Sequence, residues 1–503
     1  MRHHTLILAH LLVLWVACGQ PAAEAMTEDP QTMAVPLRYD LSIVIEPKEG
    51  EARVRARVTI RNPGISPISS ISLLLYRLSS VESLTVPGSE ASFSDQLVGL
   101  REFPNFQFRR LQVSPREPVR PGQAIVLDIK YTIALRGYAE VLPYLKDSID
   151  PGYTLFRPET AYYPLVGGNR WAEYLAAQAQ PVDYTLSVDA PAGLAVASGG
   201  RRLESGPVGE RVIHRFASRG KSSRMDIAVA PFEQVEQEGL LVHVLPGHAA
   251  GARRLAVQLG AARHYFQSRL GDVAGGEFQV IEVPAGFGSQ AGDGYLLQES
   301  AAFTDAASLH ELFHELAHGW RISTSSDLAR TRWFDEAVAT YLELGATRAL
   351  QGDEAATALA NGLRARFAKV LSKRPELGGA SFREYGTLEL GDASYSKGAW
   401  SLLVMEQLMG EAAVDQVLRG LLARDKVASF DALEDEVRAR CRGVCDAFLR
   451  DWFGNGKAST EFMLGRESAA ELAERYRRTS STDQASHRAV FPQPLATQPA
   501  AQP

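Results

Sequence analysis

From Tyr39 onward apolar residues fall on alternate positions: Tyr39, Leu41, Ile43 and Ile45, then Ala52, Val54, Ala56, Val58 and Ile60. A period of two turns one face of a strand toward a core and the other toward water. Further strands are predicted over 68–78, 125–135, 184–188, 212–216 and 240–245, punctuated by Pro63-Gly64 and Pro121-Gly122. This half reads as an antiparallel β-sandwich or saddle. Near Gly247 the pattern changes. Residues 250–270 have helical composition, 278–283 form one short strand, and nearly everything from 308 to 453 is helix-forming. Helices are predicted over 354–372, 397–409, 412–423 and 430–440, with Asp446 as the cap of a run ending at Phe453. The fold class is therefore α+β and multidomain. Residues 26–245 form an N-terminal β domain, 246–465 a mainly α-helical domain, and 466–503 a short charged helix ending near Arg478 plus a disordered tail rich in Ser, Thr, Gln, Pro and Ala.

Composition narrows the choice of partners. The 503 residues are 45% hydrophobic and 22% charged, which is ordinary for a globular chain of two to four domains. A net charge of −6 supplies no basic field for nucleic acid. At the start, Arg2 precedes an apolar stretch over 6–17 that is too short to span a bilayer, and Ala23-Glu24-Ala25 comes next as a cleavage pattern. Residues 1–25 thus read as an export signal, and the protein as periplasmic or secreted. A second reading ends the signal before Cys18, where Val16-Ala17-Cys18-Gly19 resembles a lipobox and a lipid would attach the chain to a membrane. The other two cysteines, Cys441 and Cys445, are spaced to permit a short-loop disulfide in an exported protein, and no histidine stands near enough in sequence to make them metal ligands.

The segment richest in chemistry is His310-Glu311-Leu312-Phe313-His314-Glu315-Leu316-Ala317-His318-Gly319-Trp320, which contains H-E-x-x-H in two overlapping registers. Residues four apart on a helix share a face, so either pair of histidines can offer two imidazoles to one zinc ion, with the Glu between them placed to take a proton from attacking water. His310 and His318 are about 12 Å apart along a helix rising 1.5 Å per residue, so one zinc ion cannot use all three histidines in line. A downstream segment favours the second register: Trp333-Phe334-Asp335-Glu336-Ala337-Val338-Ala339-Thr340-Tyr341-Leu342-Glu343 is a helical stretch whose Glu336 completes a His314, His318, Glu336 ligand set and leaves zinc a fourth position. His310 is then a bystander.

His314 to Trp320 resembles the H-E-L-A-H-Q-W segment of the aminopeptidase N family of zinc metallopeptidases, which includes leukotriene hydrolase. Trp333 to Glu343 is similar to that family's W-L-N-E-G-x-A-x-Y-x-E, and Tyr395-Ser396-Lys397-Gly398-Ala399 to its Y-x-K-G-A. The connector between Trp320 and Trp333 is one residue shorter than is usual there, and Arg321-Ile322-Ser323 replaces Phe-Gly-Asn. The resemblance implies a β-saddle followed by a thermolysin-like domain. It also implies one Zn2+ on His314, His318 and Glu336, Glu315 activating the zinc-bound water, Tyr395 donating to the oxyanion, and Glu343 supporting a ligand histidine from behind. The chain ends too early for the large helical C-terminal domain of many relatives, so a more open active site is expected. One departure is sharp. The family's Gly-Ala-Met-Glu-Asn edge strand, whose Glu grips the substrate amine, corresponds to Gly288, Ser289, Gln290 and Ala291, so Ala291 stands where the amine-binding Glu would be. The backbone of this segment could still pair with an extended peptide. Asp293, between two glycines, reads as an ordinary turn residue. Three readings are compatible with these residues: an aminopeptidase-like zinc enzyme acting on peptides outside the cytoplasm, a zinc endopeptidase without amino-terminal selectivity, and a non-catalytic peptide-binding relative.

Overall fold

The structure, a computed structural model, describes residues 34–272, 278–305, 309–324, 328, 330–386, 388–423, 427–441 and 444–490. The export signal, Cys18 and the tail from 491 lie outside these residues, as do parts of the connector between Trp320 and Trp333. By contact density the chain divides into two compact units. One runs from the chain start to Gly260 with Gly275–Leu309, and the other comprises Ala261–Ala274 and the chain from His310 onward. The change of composition near Gly247 does not coincide with this division, because the strands Phe278–Val283, Gln290–Gly292 and Tyr295–Glu299 come after Gly247 and yet group with the β-rich unit.

The alternating segments form the strands Val35–Glu46 and Glu51–Arg61, paired antiparallel with Leu41 opposite Ala56 and Ile43 opposite Val54. All nine predicted inward residues are 3% exposed or less. These strands lie inside a seven-stranded sheet, in the order Arg201–Val208, Arg211–Ala217, Asp183–Pro191, Val35–Glu46, Glu51–Arg61, Ala124–Ile133, Ser79–Thr85. The sheet is antiparallel throughout except for one pair: Val35–Glu46 and Asp183–Pro191 run parallel, joined by a long crossover that carries a second sheet. That sheet orders Ala91–Gly99, Gln107–Pro115, Ile71–Tyr76 and Leu165–Val166, and its inward residues share one core with the first. Tyrosines fill much of the core because each phenol finds a buried carbonyl: Tyr39 donates to Pro164 O (2.8 Å), Tyr131 to Tyr162 O (2.7 Å) and Tyr162 to Met225 O (2.6 Å).

Besides a three-stranded sheet, Ala195–Ser198, Ile227–Ala230 and Thr154–Phe156, the β-rich unit has a five-stranded one in the order Glu233–Gln237, Leu240–Val244, Phe278–Val283, Tyr295–Glu299, Gln290–Gly292. Its last strand is an edge, hydrogen-bonded on one side only within the sheet, with Ala291 opposite Leu296.

The helical unit contains the predicted helices as Asp353–Lys373, Ala399–Met409, Glu411–Leu422 and Phe430–Cys441. Three details differ. The helix predicted from 397 is entered through a wider π-helical turn, Ser394–Gly398. Asp446 is not a cap: it lies inside the first turn of Cys445–Leu449 and accepts from Arg438 Nε at 3.0 Å. The last helix, Ala469–Val490, continues beyond Arg478, because no glycine or proline interrupts the sequence before Pro492. Cys441 and Cys445 are joined in a disulfide.

Candidate metal centre

Two helical segments bring the ligands together. Leu309–Ala317 carries an apolar stripe whose Leu312, Phe313 and Leu316 are buried, and this turns His314 and Glu315 inward; the backbone then tightens into the 3-10 turn His318–Trp320. The side chain of His310 lies outside the described positions. The second segment begins as a π-helical turn, Trp333–Ala337, before settling into the α-helix Val338–Gln351. Glu336 thus sits on a π turn, and so does Tyr395. Such one-turn widenings are frequent at functional positions.

His314, His318 and Glu336 each offer a ligand atom, and these atoms lie within 4.8 Å of one another. Glu336 Oε2 is 3.2 Å from His314 Nε2 and 3.5 Å from His318 Nε2. The far ring nitrogens are engaged elsewhere. His314 Nδ1 is 3.3 Å from Glu343 Oε2 and 3.4 Å from Thr340 Oγ1, and His318 Nδ1 is 2.8 Å from Asp335 Oδ1. A carboxylate on Nδ1 favours the proton at that nitrogen, so each imidazole in its neutral form would turn Nε2 as the free acceptor to the shared space. Two imidazole nitrogens and one carboxylate oxygen suit zinc and are too nitrogen-rich for calcium or magnesium. The residues present therefore fit a zinc ion.

The electrostatics agree with a cation site. Burial works against charge on His314 but is outweighed by Glu336 and Glu343, which lift it to about 9. His318 is raised well above its ordinary value, because Asp335 and Glu336 overcome its burial. Glu336 is held well below the carboxylate range by Arg332 and the two histidines despite burial. A dication held by His314, His318 and Glu336 would displace protons from the imidazoles and balance the acids in their place. Burial raises Glu315, partly opposed by His318 and His314, so it is a stronger base than a surface carboxylate. Tyr395 stacks on His314 with ring centroids 5.3 Å apart, and burial keeps its phenol protonated and able to donate.

In the β-rich unit, Gly288 N donates to Glu299 Oε1 (2.5 Å), and Ser289 Oγ accepts from Gln298 Nε2 (3.0 Å) and Glu299 N (3.2 Å). The Gln290 amide is engaged on both atoms: Oε1 accepts from Arg157 Nη1 (3.3 Å) and Arg224 Nη2 (3.1 Å), and Nε2 donates to Glu159 Oε1 (3.1 Å). Asp293 accepts from Ser222 Oγ (2.6 Å) and Ser223 N (3.2 Å).

Solved structures resemble the whole arrangement. The M1 zinc metallopeptidase from Deinococcus radiodurans, in a mutant form with a Tyr-Ser-Ala substrate bound, superposes with a TM-score of 0.60 at 21% identity, over 85% of this chain and 95% of that one. The chain has the fold of the M1 zinc metallopeptidases. A mutant two-domain M1 zinc metallopeptidase with bound L-arginine gives 0.58 at 20% identity, over 84% and 95%. Yeast LTA4 hydrolase gives 0.64 at 14% identity, over 86% of this chain and 71% of that one. No family model matches the sequence, and no curated protein matches it. An M1 fold with its β-rich unit followed by a helical unit is thus shared at 14–21% identity.

Two residues to which the motif assigned no role, Asp335 and Arg332, touch the ligand set directly. Asp335 stood in the sequence beside Glu336, but which atoms it would reach depends on the π turn that carries both.

Proposed function

We propose that this protein is a zinc-dependent peptidase. The observation that carries the reading is the convergence of His314, His318 and Glu336, each histidine backed on its far nitrogen by a carboxylate. Zinc, when bound, supplies a Lewis acid that polarises the scissile carbonyl and makes water acidic enough to attack near neutral pH. Glu315, its pKa raised by burial, accepts the proton of the attacking water and returns it to the leaving amine. The Tyr395 hydroxyl, kept protonated by burial, donates to the oxyanion as it develops. Glu343 keeps the His314 ring turned toward the site. The short edge strand Gln290–Gly292, entered through Gly288 and Ser289 and carrying Gln290 and Ala291, accepts an extended peptide backbone as an added strand.

The M1 fold favours aminopeptidase-like action. A second reading, internal cleavage without amino-terminal selectivity, is favoured by Ala291, which has no charge to pair with an ammonium group, and by Asp293, whose carboxylate is already held by Ser222 and Ser223. The apolar stretch over 6–17 and Ala23-Glu24-Ala25 support export to the periplasm or medium, with lipid attachment at Cys18 as the alternative. Among the described residues no helix is long and apolar enough to cross a membrane.

The test is cleavage of one peptide, with free and acetylated amino termini, by the wild type and by Glu315→Gln. The variant is expected to keep its metal and lose about 10²–10⁴-fold in rate. A strong preference for the free terminus supports the aminopeptidase, and equal rates support the endopeptidase. Absence of cleavage with zinc bound would leave a peptide-binding module and refute the catalytic proposal.

A further inference from the structure

Arg332 has no place in the motif that suggested a zinc site, yet its guanidinium reaches Glu336 directly and His318 through Asp335. Its backbone is unusual: φ is 53°, one of three positive values for non-glycine residues among the described part of the chain. Glycine or asparagine adopts this left-handed conformation more readily, so an arginine here indicates that the side chain is used. The conformation opens the π turn Trp333–Ala337, and the Arg332 carbonyl accepts the Glu336 backbone N–H at 2.8 Å. The same turn folds the guanidinium back over the next few residues. Arg332 Nη2 donates to Asp335 Oδ2 (2.8 Å) and also to Glu336 Oε1.

The two oxygens of Glu336 are thereby divided. Oε1 is held by Arg332, and Oε2 is the atom that faces both imidazoles. Asp335 is divided in the same way, with Oδ2 on Arg332 and Oδ1 on His318 Nδ1. One guanidinium therefore anchors a path from His318 through Asp335 to Glu336.

Resting on the zinc-site reading above, we infer that Arg332 is a positioning residue for the metal. It restricts Glu336 to ligation through a single oxygen and, through Asp335, keeps His318 turned with Nε2 inward. The consequence is chemical. A carboxylate free to rotate can bind an ion through both oxygens, and that second bond would fill the position a peptidase must keep open. Arginine suits this task because the two hydrogens of Nη2 are fixed in the guanidinium plane and go one to each carboxylate, whereas a lysine ammonium is a freely rotating point charge.

The test uses the full-length protein stripped of metal. Zinc affinity is measured by competition with a chromophoric chelator, and the visible spectrum is recorded after loading cobalt(II), whose absorption falls as the coordination number rises from four to five to six. The wild type should bind one zinc ion per chain, and His314→Ala should lose it. Arg332→Ala and Asp335→Ala should each weaken zinc about 10–100-fold, the usual consequence of removing a group that orients a ligand. The double variant should lose little more than either alone, since both act through one linkage. Cobalt absorption should weaken in Arg332→Ala, and Arg332→Lys should restore affinity and spectrum only in part. If Arg332→Ala does not fold by circular dichroism, the lysine variant carries the comparison. Wild-type affinity and an unchanged cobalt spectrum in Arg332→Ala, with His314→Ala metal-free, would overturn the clamp and leave the zinc site standing. A wild type that binds no zinc, or a His314→Ala that binds as tightly as wild type, would overturn both.

Discussion

His243, on the strand Leu240–Val244, is 1% exposed and meets Gln279 Oε1 through Nε2 at 3.2 Å. Burial, assisted by the Arg202 charge, pushes its imidazole from the ordinary 6.5 down to about 4. Between these values the unfolded chain binds more protons than the folded one, so the histidine's contribution to stability is present above about 6.5 and lost as the pH falls toward 4. At 1.36 kcal/mol per unit the full loss is about 3 kcal/mol. His243→Gln removes the titration while leaving a polar partner for Gln279. Urea unfolding at pH 7 and pH 5 should show a smaller acid-induced loss in the variant than in the wild type, and identical losses would show that another group carries the effect. This residue also marks a limit of sequence reading. His314 and His318 stand out because their spacing places them on one helix face, whereas a lone histidine such as His243 carries no pattern, and its burial is decided by the strands beside it.

Among the elements, the two π turns Trp333–Ala337 and Ser394–Gly398 are packed against each other, and Gly398 is what lets them approach. A methyl group there would lie 2.6 Å from Ala337 Cβ and 3.1 Å from Trp333 Cδ1, closer than packed atoms tolerate. Trp333 Nε1 donates to Ser401 Oγ (3.0 Å), which donates in turn to Gly398 O (2.6 Å). Gly398→Ala should therefore cost about 1–3 kcal/mol by overpacking and lower kcat/KM by shifting Tyr395 against Glu336. Wild-type values in both urea unfolding and peptide hydrolysis would show that this contact does not matter. The same pair of turns shows why element ends were harder to read than elements. Helical periodicity locates Val338–Gln351 and Ala399–Met409, but a widened turn preserves the local pattern and betrays itself only in how the chain packs. Strands show the same limit. Glu51–Arg61 has one buried face and alternates, whereas Ala91–Gly99 is exposed along most of its length and offers no apolar rhythm to find.

For the molecule as a whole, all three proposed ligands belong to the helical unit, so a bound metal should stabilise that unit selectively. A ligand that binds only the folded state adds about 2.7 kcal/mol at a hundred times its dissociation constant. Calorimetry with and without a strong chelator is expected to show the helical unit's transition falling in temperature, with the transition of the β-rich unit in place; a trace unchanged by chelation would argue against a structural contribution from the metal. By itself the amino-acid sequence determined the features that arise from covalent periodicity: the two-residue rhythm of the sheet strands, the helical character of the second half, and the four-residue step that sets His314 beside His318. It also pointed to Glu336, because the motif around it is contiguous. Tertiary structure alone decided that a carboxylate 22 positions from His314 would turn Oε2 toward both imidazoles, that Asp335 would meet His318, and that Arg332 would fold back across both acids. Those choices depend on a left-handed residue and a widened turn held by packing against Gly398, and contacts made through space leave no period along the chain.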